Sequence, residues 1–139
     1  RLSATFAFAK NDAVLTEDYV LRGNIEARKD QDLPFTPDTK GNIGLTAEIS
    51  DNSRIDFNYA FVAGMYNDLF FDDREFQDSY GIGNLSYTMD VNDQVSLQLY
   101  FDNVFDEVAE LYINSEDIQR LTTVNRPRTF GIKYSWKMN

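Results

Sequence analysis

The chain has 139 residues, with 13 basic and 23 acidic side chains for a net charge of −10, and it contains neither cysteine nor histidine. That composition excludes a disulfide framework, cysteine- or histidine-ligated metals, Ser-His or Cys-His nucleophilic catalysis and a histidine pH switch. The acidic balance argues against binding a phosphate backbone through a basic surface, so no nucleic-acid partner is expected.

Length alone leaves a soluble β-domain and a membrane fragment equally open. No apolar run approaches the roughly 18 residues of a spanning helix, and no signal peptide opens the chain; a spanning strand, however, needs only about 9–11 alternating residues. The chain starts at Arg1 within a strand-like pattern, without a methionine, and reads as a piece of something larger.

The first strand is carried by Leu2, Ala4, Phe6 and Phe8 alternating with Ser3, Thr5 and Ala7. Residues 11–38 are charged and aperiodic, too long for an ordinary connection, with room for a short hairpin arm at 20–27. In the second strand, 40–50, Ile43, Leu45, Ala47 and Ile49 oppose Asn42, Gly44, Thr46 and Glu48. Asp51-Asn52-Ser53 turns the chain, since such side chains bond their own backbone. The third strand places Ile55, Phe57, Tyr59, Phe61, Ala63 and Met65 against Asp56, Asn58, Ala60 and Gly64. An acidic, aromatic loop at 67–78 follows, then a strand over 80–89, a short turn at 90–93, and a strand in which Val95, Leu97, Leu99 and Phe101 oppose Ser96, Gln98, Tyr100 and Asp102. A polar connection at 103–126 leads to the last strand, which Pro127 can begin because a first residue need not donate to the ladder.

That last strand has Phe130, Ile132, Tyr134, Trp136 and Met138 on one face and Gly131, Lys133, Ser135 and Lys137 on the other. Two lysines alternating with large apolar groups do not fit a dry core, so the strand separates an apolar medium from water. Connections that run long, short, long, short, long put every long one at the same end of an antiparallel sheet. Transmembrane barrels share that asymmetry, and a soluble meander has no reason to keep it. The expected fold class is all-β: an antiparallel meander of about six strands in a transmembrane β-barrel. Ile55, Phe57, Tyr59 and Phe61 should then share a surface with Leu97, Leu99, Ile132 and Tyr134, with Asp56, Lys133 and Ser135 opposite.

Thr129, Gly131, Tyr134 and Trp136 fit the spacing of the closing strand of outer-membrane barrels; Met138 stands where those families commonly end on an aromatic residue, and Asn139 follows. With Asn125-Arg126-Pro127-Arg128 ahead of it, this end resembles the C-terminus of TonB-dependent outer-membrane receptors. The strand running into Asn103-Val104-Phe105-Asp106 resembles their penultimate strand, and Leu33-Pro34-Phe35-Thr36-Pro37 before Gly41-Asn42-Ile43-Gly44 is a third match. The resemblance spans nearly the whole chain. It implies that residues 1–139 are the C-terminal part of a barrel of about twenty-two strands, without the N-terminal plug domain or the earlier strands. It further implies a place in the bacterial outer membrane and active uptake of a scarce solute such as a ferric siderophore or an oligosaccharide. The partners would be outer-membrane lipid, the plug, an energising inner-membrane protein and the small-molecule solute. No enzymatic activity, cofactor or metal is implied. The alternatives are a passive porin and a soluble β-barrel or sandwich acting as a binding module.

Two groups of candidate residues follow. Gly131, Tyr134, Trp136 and Met138 would form the barrel-assembly signal that the resemblance implies. Phe70, Phe71, Asp72, Asp73 and Glu75 are outer-loop candidates for ligand contact: the rings, with Phe76, would stack on a sugar or an aromatic siderophore, or else pack the loop on itself. Asp68, Asp72, Asp73, Glu75 and Asp78 would meet a cation or ligand, or form a solvated loop; the spacing lacks the Asp-x-Asp-x-Asp-Gly order of a calcium loop. The isolated fragment is expected to self-associate.

Overall fold

The structure, a computed structural model, describes residues 1–70, 73–116 and 119–138. Alternating stretches form the long strands: β1 (Leu2–Lys10), then, after a small hairpin of β2 (Tyr19–Leu21) and β3 (Asn24–Ala27), β4 (Thr39–Ser50) and β5 (Ser53–Val62). A second small hairpin, β6 (Met65–Tyr66) and β7 (Phe76–Gln77), with a 3₁₀ turn at Asp73–Glu75 leading into β7, precedes β8 (Tyr80–Asp90) and β9 (Val95–Asp102). A third hairpin, β10 (Glu110–Glu116) and β11 (Gln119–Val124), leads to β12 (Thr129–Trp136).

The six long strands make one antiparallel sheet in the order β1-β4-β5-β8-β9-β12, so each pairs with the next long strand along the chain. Its register aligns like with like. One continuous row crosses all six strands as Ala4, Leu45, Phe57, Leu85, Phe101 and Phe130. The next is Leu2, Ala47, Ile55, Tyr87, Leu99 and Ile132. Between them, on the other face, run Ser3, Thr46, Asp56, Ser86, Tyr100 and Gly131. Ile55 and Ile132 therefore share the apolar face while Asp56, Lys133 and Ser135 lie opposite, as the alternation requires. Gly131 sits across from Tyr100, whose ring and hydroxyl occupy the space a Cβ would need.

The apolar face is largely uncovered: Leu2 is 74% exposed, Ile132 72% and Phe130 79%. The buried hydrophobic side chains among the described residues, Ala27, Ala109 and Ile113, and the buried polar ones, Asn67, Gln77 and Asn103, all belong to the long connections. The chain thus forms a single-layer wall with its small packed core at one end, not a sandwich closed on itself.

Connections 11–38, 63–79 and 103–128 leave from the same end of the sheet, and the two short turns lie at the other. The short turns are tied locally and to each other: Ser50 Oγ bonds Asn52 and Ser53, Asn92 Oδ1 accepts the N–H of Gln94 and Val95, and the Asp90 N–H donates to the Asn52 carbonyl at 2.8 Å.

Three boundaries differ from the sequence expectation. The third strand stops at Val62 rather than running on to Met65, because its neighbour β8 begins opposite Val62 at Tyr80 and offers no partner beyond it, leaving only the Ala63 N–H on the Thr39 carbonyl of β4. Met65 and Tyr66 pair instead with Gln77 and Phe76. The last strand begins at Thr129 and not at Pro127, and it ends at Trp136, opposite the first residue of β9, so Met138 lies outside it. The polar stretch 103–126 contains the β10–β11 hairpin, whose faces are sorted by loop packing and not by an apolar medium against water, so it carries no period-two signal.

Candidate functional site

The long-connection end is built on two asparagine-led segments. Asn103, at the exit of β9, has φ +51°, a left-handed conformation that asparagine tolerates better than most residues. Its Nδ2 donates to the carbonyls of Glu107 at 2.8 Å and Arg126 at 3.1 Å, its Oδ1 accepts the Glu107 N–H at 3.0 Å, and its own N–H donates to Asn84 Oδ1 on β8. Asn125 mirrors it: Oδ1 accepts the Ala109 N–H at 2.8 Å, and Nδ2 donates to the Glu107 and Arg126 carbonyls. Asp106 accepts both the backbone N–H and the guanidinium of Arg128 at 3.1 Å. Phe105 folds back over the apolar face, edge-on to Tyr59 and against Gly83, where a Cβ would lie 2.5 Å from its ring. The two sequence anchors, 103–106 and 125–128, therefore close on each other as one clasp across the stems of the last long connection.

Replacing Asn103 separates its two contributions. Asn103→Ala removes the buried side-chain bonds and strains the backbone, with an expected cost of about 2–4 kcal/mol; Asn103→Gly keeps the turn and is milder by about 1 kcal/mol. Urea unfolding of the native-length protein measures both, and equal losses would mean that the backbone conformation contributes nothing.

The Arg128 backbone N–H, and then its guanidinium, hold the Asp106 carboxyl below its ordinary 3.8. The bidentate Arg120 guanidinium, 2.6 Å from each Glu110 oxygen, holds Glu110 below its ordinary 4.5. Because both folded values are depressed, their stabilisation is complete above the ordinary values and is lost as pH falls through the lowered ones. Limited proteolysis within 103–128 should be flat from about pH 7 to 5 and accelerate below about pH 4. The Asp106→Asn protein should show a smaller change.

Above the clasp the three long connections interlock. Gln31 Nε2 donates to the Leu69 carbonyl at 2.8 Å, and the Phe35 N–H to the Tyr66 carbonyl at 2.9 Å. Phe35 and Tyr112 stack with centroids 6.2 Å apart and planes 8° from parallel; Tyr66 and Phe76 meet edge-on at 4.9 Å. Glu75 Oε1 accepts the Ser115 N–H at 2.7 Å, and the Glu75 carbonyl accepts both N–H donors of Asn67 at 3.1 Å. Buried deepest are Ile113 and Gln77, each 1% exposed. Neither amide atom of Gln77 has a hydrogen-bond partner, nor has Asn67 Oδ1, and each such buried group costs about 1–3 kcal/mol.

Of the outer-loop candidates, Phe70 is exposed, Asp73 opens the 3₁₀ turn, and Glu75 is engaged by Ser115; Phe71 and Asp72 lie outside the described residues. No group of three or more acidic side chains among the described residues is placed to hold a metal ion. Sequence reasoning missed the Phe35–Tyr112 pair. Its one legible signal was a large residue held between two prolines, and Phe35 does adopt φ +57°, a costly conformation for a bulky side chain.

The polar face of the sheet is a groove of about 520 Å³, lined among others by Asp56, Asn58, Asn84, Gln98, Tyr100 and Lys133. Its side chains bond along the sheet: Asn42 and Asn58 exchange amide bonds at 3.0 and 3.2 Å, Thr46 Oγ1 donates to Asp56 at 2.7 Å, and Arg54 pairs with Asp56 at 3.0 Å.

A two-faced wall with every long connection at one end is also what solved structures match. The ferric-catecholate import receptor Fiu of E. coli K12 superposes with a TM-score of 0.75 at 18% identity, over 97% of this chain and 18% of Fiu. The chain has the fold of a segment of a TonB-dependent receptor barrel. The siderophore receptor PiuA of Acinetobacter baumannii gives 0.79 at 16% identity, over 97% of this segment and 19% of PiuA. The ferric yersiniabactin uptake receptor FyuA of Yersinia pestis gives 0.67 at 21%, over 74% of the segment and 16% of FyuA. The segment thus spans less than a fifth of each of these receptors. No family model and no curated protein matches its sequence.

Proposed function

We propose that the chain is the C-terminal part of a TonB-dependent receptor in a bacterial outer membrane, working in active uptake of a scarce solute. The observation that carries this is the pairing of an uncovered apolar face with a hydrogen-bonded polar face in one sheet layer, its long connections gathered at one end. Lipid suits the first face and a water-filled lumen the second. Ferric siderophores are the favoured solute class, since the superposed proteins are a ferric-catecholate import receptor, a ferric yersiniabactin uptake receptor and a siderophore receptor. An N-terminal plug and an energising inner-membrane protein are the partners of the native-length receptor. Within the segment, Phe70, Phe71, Asp72, Asp73 and Glu75 are outer-loop contacts for the solute. Gly131, Tyr134, Trp136 and Met138 act in barrel assembly.

The test is uptake of ferric siderophores by iron-starved cells that depend on the native-length protein. Saturable uptake abolished by collapsing the inner-membrane proton gradient supports the proposal. Uptake that survives the collapse and rises linearly with concentration means a passive pore.

A further inference from the structure

The two-residue period decides which face each side chain takes but leaves one ambiguity, because a strand slipped by two residues keeps every face correct. A short turn removes it, since its length fixes the offset of the strands it joins. Three ladders lack that help: β1 with β4, β5 with β8 and β9 with β12 are joined through the long connections 11–38, 63–79 and 103–128. Each carries the same feature. A side chain of one strand fills the place of the Cβ that a glycine on its partner lacks: Thr5 over Gly44, with Oγ1 2.5 Å from that place, Tyr59 over Gly81, and Tyr100 over Gly131. Of the two short-turn ladders, β4 with β5 has such a pair in Phe61 and Gly41, whereas the paired residues of β8 and β9 include no glycine.

The pair in the last ladder is the most demanding. Gly131 lies directly opposite Tyr100, whose Cζ and Cε1 come to 2.5 and 2.8 Å from where a Cβ would sit, so the ring leaves no room for a side chain there. Slipping β12 by two residues either way brings Thr129 or Lys133 opposite Tyr100, and both carry a Cβ. Only the observed register seats the ring. The apolar face does not discriminate in the same way, since Ile132 would then meet Leu97 or Phe101 in place of Leu99, and Tyr134 would meet Val95 or Leu99 in place of Leu97. The clasp pins the loop stems in the same step, so ring and clasp hold the two strands at separate points.

We propose that Tyr100 seated on Gly131 is the register key of the last strand, and that Tyr59 on Gly81 and Thr5 on Gly44 key the other two ladders that no short turn sets. Gly131 then acts in assembly through its fit to β9, and not as a letter that assembly machinery reads. The offset matters beyond this sheet, because the steps between neighbouring strands add up to the stagger with which a barrel closes. This deepens the assembly role proposed above for Gly131, and it rests on the barrel reading for that last consequence alone.

Refolding of the native-length protein from urea into detergent micelles, with no assembly machinery present, tests this. Cysteine pairs read the register after oxidation: Gln98→Cys with Lys133→Cys for the observed one, and Gln98→Cys with Ser135→Cys or Ser96→Cys with Lys133→Cys for slips of two residues either way. Gly131→Ala overpacks the observed register, and should raise the ratio of slipped to observed cross-link at least about fivefold. Exchanging the pair, Tyr100→Gly with Gly131→Tyr, should return the ratio to its original value, because the ring is then seated from the other strand. An unchanged ratio in Gly131→Ala, or no return on exchange, overturns the proposal. If Gly131→Ala keeps the observed cross-link in micelles yet is not assembled in cells, the machinery reads the glycine and the key does not exist. Should Gly131→Ala fail to refold, the exchange decides alone. Cross-links read register whatever passes through the barrel, so a failed uptake assay leaves this test intact.

Discussion

Without detergent, the 139-residue chain should sediment as oligomers or aggregates and not as a compact monomer of 16.0 kDa. Two separate features drive this. β1 and β12 are the edges of the six-stranded sheet, each with one row of backbone donors and acceptors unpaired within the chain, and such edges recruit other strands. The apolar face is the second. Phe6, Phe130, Ile132, Tyr134 and Trp136 remain exposed in a single layer, and a patch of several hundred Å² at about 25 cal/mol per Å² amounts to on the order of ten kcal/mol. An isolated sheet that can bury this face against a second copy will do so. Detergent should return the chain to small, uniform particles. Monomeric sedimentation in plain buffer would mean that the apolar face is packed within the chain, and the soluble-module reading would then take over.

The second large effect separates the two faces by charge. Leu99 lies mid-strand on the apolar face between Tyr87 and Ile132; Ser86 lies on the polar face between Asp56 and Tyr100. With lipid against the apolar face, as proposed, Leu99→Arg in the native-length protein would place a cation near the middle of the bilayer and should cost about 2–4 kcal/mol. Ser86→Arg would enter the polar, water-facing side beside a carboxylate and should change stability by less than about 1 kcal/mol. The yield of heat-modifiable folded barrel in outer-membrane preparations, followed by urea unfolding, reads both. Equal losses for the two variants would mean that the faces are not divided between lipid and water.

These face assignments need no tertiary information. A strand's side chains alternate, so the two-residue period of Ile55, Phe57, Tyr59 and Phe61, or of Phe130, Ile132, Tyr134 and Trp136, already decides which groups share a surface. The Asp-, Asn- and Ser-bearing turns at 51–53 and 90–93, set against three long connections, then order the strands as a meander with a distinct end. Local chemistry is enough for that much, because period and turn type are properties of neighbouring residues.

What only the folded chain decided lies in the long connections. The third strand ends at Val62 because β8 supplies no partner beyond it, although the alternation in the sequence runs on through Ala63 and Met65. The Phe35–Tyr112 stack and the clasp of Asn103 with Asn125 join residues tens of positions apart, and the β10–β11 hairpin, though local, forms with no medium of fixed polarity to impose a period. Glu75 shows the consequence most directly. As a letter in an acidic run it is a candidate ligand contact, and only the fold adds that one oxygen of its carboxylate accepts an N–H from a residue forty positions away. Alternation against an apolar medium and water is written into each strand, but the pairing of polar loops depends on which carbonyls and N–H groups the completed sheet brings within reach.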